Sequence, residues 1–254
     1  MNIVLITQNQ PFYIKDAVEY LTQDLPENVK ITGCVLGDVS PFGKKEKFYK
    51  KAFKTLKIFG IIFFSIYALK YLLTKLTKRN SFKELLRRKN IDIIKLKGDI
   101  NSEESLNKIK EYKPDLLISI AGNQIFKKEL INLAPMGCLN LHTSLLPKYR
   151  GLMPTFWVLK NKEAYTGVSV FFVDEGIDSG PIVIQKKIKI NNMSQQELIK
   201  VSKKIGIEAI KDSIKMIMND SVELIANDDN EKTYFSFPTR KDVKEFKNNG
   251  ARFF

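Results

Sequence analysis

Short apolar runs alternate with stretches of helical periodicity through the first half of this chain. Residues 2–7, 29–36, 91–96 and 115–121 read as strands, and residues 12–21 and 103–112 as helices. The run Leu116-Leu117-Ile118-Ser119-Ile120 has no polar alternation, which suits a strand covered on both faces. Strands that alternate with helices in this way predict an α/β fold: a mostly parallel, twisted sheet with helices on both faces.

The second half has another rhythm. Residues 137–142 form a short strand, followed by a turn-rich loop over 143–151. Two β-rich runs, 166–173 and 182–190, flank the loop Asp174-Glu175-Gly176-Ile177-Asp178-Ser179-Gly180-Pro181. A long amphipathic helix covers 192–217, with Ser194 as its cap and Glu197 three residues on. A polar tail, Asn-rich at 227–230, then predicts a short strand and a helix with Thr239 and Asp242 near its start. No repeat or Gly/Ser linker interrupts the chain. The expected organisation is one domain over 1–217, an insertion over about 41–80, and a short extension over 218–254.

With 44% hydrophobic and 28% charged residues, the 254-residue chain can bury a core and is not disordered by composition. Two cysteines, Cys34 and Cys138, exclude a disulfide framework and any thiol-rich metal site. The single histidine, His142, excludes His-rich metal centres, so no metal is expected. The opening Met1-Asn2-Ile3-Val4-Leu5-Ile6 lacks the pattern of a signal peptide and reads as a first strand, which implies a cytoplasmic setting.

The net charge of +14 is localised. Residues 44–89 hold 15 basic side chains and only two acidic ones, Glu46 and Glu84. Within this segment, Phe48, Ala52, Leu56 and Phe59 repeat at helical spacing, while Lys47, Lys50, Lys51, Lys54 and Lys57 fill another face. Residues 58–69 carry no charge, a run well short of the ~20 residues that span a bilayer. Three readings stand: a helix buried under a neighbour or in a homodimer contact; a monotopic anchor on an anionic membrane, peripheral to its inner face; or a basic patch facing RNA. The last lacks an evident stacking platform.

The stretch richest in chemistry is Asn140-Leu141-His142-Thr143-Ser144-Leu145-Leu146-Pro147-Lys148-Tyr149-Arg150-Gly151. Residues two apart on a strand share a face, which places Asn140 and His142 together at the carboxyl end of a strand, where open α/β sheets bind ligands. Asp178 follows in a Gly-flanked loop. An amide, an imidazole and a carboxylate suit acyl transfer to an amine. Asn140 and protonated His142 donate to the developing oxyanion, while Asp178 orients the imidazole and helps remove the amine's proton. Each residue taken singly has an ordinary structural explanation, since lone histidines and Asp in Gly-rich turns are commonplace.

Together, Asn140 to Gly151, Thr166-Gly167-Val168 and residues 174–180 resemble the folate-dependent formyltransferase family, which includes methionyl-tRNA, glycinamide ribonucleotide and sugar N-formyltransferases. The family pattern of Asn-x-His, Ser-Leu-Leu-Pro and an Asp in a Gly-x-Asp-x-Gly loop matches Asn140, His142, residues 144–147 and residues 176–180. The resemblance covers residues 1 to about 215. It implies a Rossmann-like formyltransferase core, 10-formyltetrahydrofolate as donor, and catalytic roles for Asn140, His142 and Asp178. It also implies a pterin pocket formed by Ala121, Gly122, Asn123, Gln124, Ile125 and Phe126 with Val173, Asp174, Glu175, Gly176 and Ile177. Ile125 and Phe126 can alternatively pack inward at the start of a helix. Ser144, Leu145, Leu146, Pro147 and Arg150 would border the acceptor, and the bond corresponding to Leu146–Pro147 is often cis in the family.

Departures bear on the acceptor. Thr7-Gln8-Asn9-Gln10-Pro11-Phe12 offers no glycine to cradle a phosphate as in the glycinamide ribonucleotide enzymes. Only 37 residues follow Ile217, too few for the OB-type domain of the methionyl-tRNA enzymes. The first reading is therefore transfer of a formyl group to a primary amine, with an amino-sugar conjugate as acceptor. Beside it stand methionyl-tRNA formylation with residues 44–89 contacting the tRNA, hydrolysis of the formyl donor, and a membrane-attached folate-binding protein without turnover.

Overall fold

The computed structural model describes residues 1–10, 12–37, 47–76, 81–122 and 124–254. The elements in chain order are β1 (Asn2–Gln8), α1 (Ile14–Leu21), β2 (Lys30–Gly37), α2 (Phe48–Phe59), α3 (Ile61–Leu76), α4 (Phe82–Arg88), β3 (Asp92–Ile94), α5 (Glu103–Lys110) and β4 (Leu116–Ile120). There follow α6 (Lys128–Ile131), β5 (Cys138–His142), β6 (Arg150–Gly151), α7 (Pro154–Lys160), β7 (Tyr165–Phe172), β8 (Ile182–Lys189), α8 (Gln195–Met218), β9 (Tyr234–Phe235) and α9 (Arg240–Asn248).

Seven strands form one sheet in the order β3-β2-β1-β4-β5-β7-β8. The pairs from β3 through β5 are parallel, and β7 and β8 join antiparallel. Strand alternation sorts the core into two layers. Ile3, Leu5, Leu116, Ile118, Leu139 and Leu141 meet α1, α4, α7, α8 and α9 on one face. Val4, Ile6, Leu117 and Cys138 meet α5 and α6 on the other. This is the predicted α/β class, with the expected strands starting and ending within one or two residues of the observed ones.

The long helix α8 starts as its sequence predicts. Ser194 Oγ accepts from the Glu197 amide, and the Glu197 carboxylate accepts from the Ser194 amide. Gly206 lets this helix press on β5: a Cβ there would lie 2.7 Å from Leu141 Cδ2, next to His142. The capping pair Thr239 and Asp242 likewise opens α9. That helix is no loose appendage, because Val243, Phe246 and Phe253 lie in the larger core layer. Phe246 stacks on Phe156 of α7, with ring centroids 4.8 Å apart.

The insertion is helical where described. The uncharged run 58–69 does not form one helix, because Gly60 adopts φ +86° and separates α2 from α3. One side of α3 is packed: Phe63 meets Phe253 and Phe254, Tyr67 meets Phe12, and Lys70 Nζ donates to Gln196 Oε1 at 2.5 Å. No described helix is long and apolar enough to cross a membrane. Residues 41–46 and 77–80 of the expected insertion lie outside the described residues.

Candidate active site

β5 ends at His142, with Asn140 two residues earlier on the same face of the strand. The chain then turns through 143–149 before pairing as β6. The turn is fixed from beneath by β7 and β8. Ser169 Oγ donates to Ser144 O and accepts from the Leu146 amide, and Gln185 Nε2 donates to Leu146 O at 2.8 Å. The Leu146–Pro147 bond is cis.

The His142 ring is buried, 6% exposed, between two acceptors. Nε2 lies 2.7 Å from Tyr149 O, and Nδ1 lies 3.5 Å from Asp178 Oδ2. A ring bearing protons on both nitrogens satisfies both acceptors. The same Asp178 oxygen accepts from the Gly151 amide at 2.8 Å, while no described residue donates to Oδ1. Asn140 and Asp178 line an open cleft of about 410 Å³. His142 stands behind them and does not itself form its wall. The three residues expected to act together are thus gathered at the carboxyl edge of the sheet, with the imidazole reaching the cleft by way of Asp178.

The two loops expected to form the pocket both border this cleft. Gly122, Gln124, Ile125 and Phe126 line one side, and Val173, Asp174, Gly176 and Ile177 the other. Ile125 is half-exposed on the cleft, whereas Phe126 lines it from a buried position in the core beneath, ahead of α6. Ala121 and Glu175 belong to the same loops without lining the cleft; Ala121 O accepts from Gln8 Nε2 at 2.5 Å. Asn123 lies outside the described residues. The first loop is tied down by Asn101, whose Nδ2 donates to Ile125 O and whose Oδ1 accepts from the Lys127 amide. Among the described residues no group of three or more His, Cys, Asp or Glu could hold a metal ion.

Residues expected to border an acceptor sit differently. Ser144 and Leu146 are buried, and none of Ser144, Leu145, Leu146 or Pro147 lines the cleft. The Arg150 guanidinium is 4% exposed and turns toward the C-terminal segment, bonding Asp229 Oδ1 at 2.7 Å and Asn227 Oδ1 at 2.8 Å. Lys232 and Arg150 hold the Asp229 carboxyl below its usual range.

Several site residues carried no sequence signal. Asn227 Nδ2 donates to Asp178 O and Gly180 O, both at 2.9 Å, so one side chain joins Arg150 to the loop of the carboxylate. The Tyr149 amide donates to Thr233 Oγ1, and β9 pairs with β6. Gly151, at φ +92°, is needed there because a Cβ would run into Phe235 O. Met153 and Phe237 complete the cleft wall. Ala121, Tyr149, Met153 and Asp178 all take positive φ, a concentration of backbone strain at one place. Burial, reinforced by the hydrogen bond to Glu163, pushes the Tyr149 hydroxyl up to about 12.

Residues 70–205 match the family model described as formyl transferase. A methionyl-tRNA formyltransferase from Kosmotoga olearia is 36% identical over 179 residues, covering 68% of this chain and 56% of that protein. One from Clostridium tetani is 34% identical over 163 residues, covering 64% and 53%. The chain therefore spans about half the length of these relatives. Among solved structures, glycinamide ribonucleotide transformylase 1 from Symbiobacterium toebii superposes with TM-score 0.63 at 14% identity, covering 89% of this chain and 92% of that one. An N-formyltransferase from Helicobacter canadensis, solved with folinic acid and dTDP-3-aminofucose, gives 0.57 at 19% identity, covering 94% and 71%. These two structures share the fold.

Proposed function

The chain belongs to the formyl transferase family, and from that premise we propose that it moves a formyl group from 10-formyltetrahydrofolate to a primary amine. The observation that carries this reading is the placement of Asn140 and Asp178 on one cleft with His142 behind them, Asp178 Oδ2 lying between the imidazole and the Gly151 amide. The cleft fits the pterin of the donor. Ile125 and Val173 offer apolar walls, backbone groups of the two loops supply a polar edge, and Gly122 keeps room that a Cβ, 2.6 Å from Ser119 Oγ, would take.

In this reading the Asn140 amide donates to the formyl oxygen as negative charge builds on it. Asp178 Oδ1 accepts the proton of the attacking amine. His142, held by Tyr149 O, stabilises the carboxylate and the charge beside it. A bond forms from the amine nitrogen to the formyl carbon, the bond from that carbon to the folate nitrogen breaks, and the folate nitrogen gains the proton.

The acceptor we infer is a small amine conjugate of the amino-sugar class. Phe237 presents a half-exposed aromatic face to the cleft beside Gly151, suited to stacking on a flat ring carried by such a conjugate. The Kosmotoga and Clostridium relatives favour a second reading, with the amine of a methionyl-tRNA as acceptor. Incubation with 10-formyltetrahydrofolate and, separately, amino-sugar nucleotides and methionyl-tRNA decides between them. Tetrahydrofolate release with an amino sugar supports the first. Release with the charged tRNA alone, weakening steeply with salt, supports the second. Formate release without any acceptor would make the protein a hydrolase.

A further inference from the structure

Among the described residues, the insertion leaves an apolar surface that no other element covers. While α3 turns Phe63, Tyr67 and Lys70 to the body of the protein, Ile62, Ile66 and Leu69 recur at i, i+4 and i+7 along another side and are exposed. Ile62 is 73% exposed and Leu69 58%. On α2, Tyr49 and Phe53 are 61% and 66% exposed, and Lys50 and Lys57 lie exposed along the adjoining arc. Residues 47–76 contain seven lysines and neither a carboxylate nor an arginine.

Charge selects the occupant of this surface. A second copy would oppose lysine to lysine, with no acidic residue in either segment to pair with them. A nucleic acid would satisfy the lysines but leave a row of Ile and Leu against phosphates, with no arginine fork to read or stack on bases. An anionic bilayer interface answers both halves at once, because apolar side chains enter the acyl boundary while lysines meet phosphate headgroups. We propose that the outer faces of α2 and α3 seat this protein on the surface of an anionic phospholipid membrane, lying on it without crossing it.

Sedimentation with vesicles tests the proposal. The full chain is expected to pellet with phosphatidylcholine vesicles containing about one third phosphatidylglycerol, and at least ~10-fold more weakly with phosphatidylcholine alone. The double variant Ile62→Asn/Leu69→Asn should lose at least ~10-fold of the binding to anionic vesicles. Lys50→Gln/Lys57→Gln should bind more weakly and with less salt dependence. All four positions are exposed, so thermal melting should match wild type, as should any formyl-transfer turnover. Failure of wild type to pellet with anionic vesicles would overturn the proposal, and so would unchanged binding of the Asn variant. A dimer in sedimentation velocity that Ile62→Asn/Leu69→Asn dissociates would instead assign the surface to a second copy. Displacement of bound vesicles by tRNA that loses its own binding in Lys50→Gln/Lys57→Gln would assign it to nucleic acid.

Discussion

His142 meets a backbone carbonyl through one nitrogen and a carboxylate through the other, and its value to the site lies in that placement. His142→Ala should lower tetrahydrofolate release by ~10²–10⁴-fold while folate binding, followed by fluorescence quenching, stays at the wild-type level. Wild-type turnover in that variant would refute the role. Asn227 acts through others. Asn227→Ala should cut the turnover number roughly tenfold and leave the KM for the donor unchanged, since the asparagine side chain bonds Asp178 O and Gly180 O at the far end of the second loop and makes no hydrogen bond to the described residues of 121–126 or 173–177. Asn227→Asp can still accept from Arg150 but cannot donate to the Asp178 and Gly180 carbonyls; it should match alanine in turnover while melting at a higher temperature. An alanine variant that altered KM and turnover together would count against a positioning role. The sequence singled out Asn140, His142 and Asp178, which the fold brings to one sheet edge, because they sit within short, recognisable motifs. It could not expose Asn227, 49 residues beyond Asp178 in a polar tail, because nothing in local spacing encodes that contact.

The elements were legible wherever a local pattern and its packing agreed. Fully buried β4 was marked by an unbroken apolar run, and α8 by Ser194 with Glu197. The helix α7 went unread in the sequence: its residues 154–159 are all buried, so no polar face marks the helical period, and it begins at Met153 with φ +54° and no side-chain cap. At α8, hydrogen bonds from the Ser194 backbone and side chain hold the Glu197 carboxyl below its ordinary range. The stability this adds is full above the ordinary glutamate pKa and is lost as pH falls through the lowered value. Glu197→Gln should therefore be less stable than wild type at neutral pH, with the gap closing under acid conditions in chemical denaturation. A gap that persisted unchanged at low pH would contradict this account.

Across the molecule the two core layers isolate both cysteines from water. Burial pushes the Cys34 and Cys138 thiols up to about 12, so at pH 8 neither forms an appreciable thiolate in the folded state. Labelling by a thiol reagent should be slow and should follow global unfolding as denaturant is added; rapid labelling of the native protein would show that one layer opens locally. The pairing of β6 with β9 reaches further. Tyr149 and Gly151, which hold the imidazole and the carboxylate, flank Arg150, and their position depends on residues 227–235. A chain emerging from the ribosome carries His142 and Asp178 long before it can fasten them. The surroundings of His142 and Asp178 are thus completed only by residues added 49 or more positions after the carboxylate.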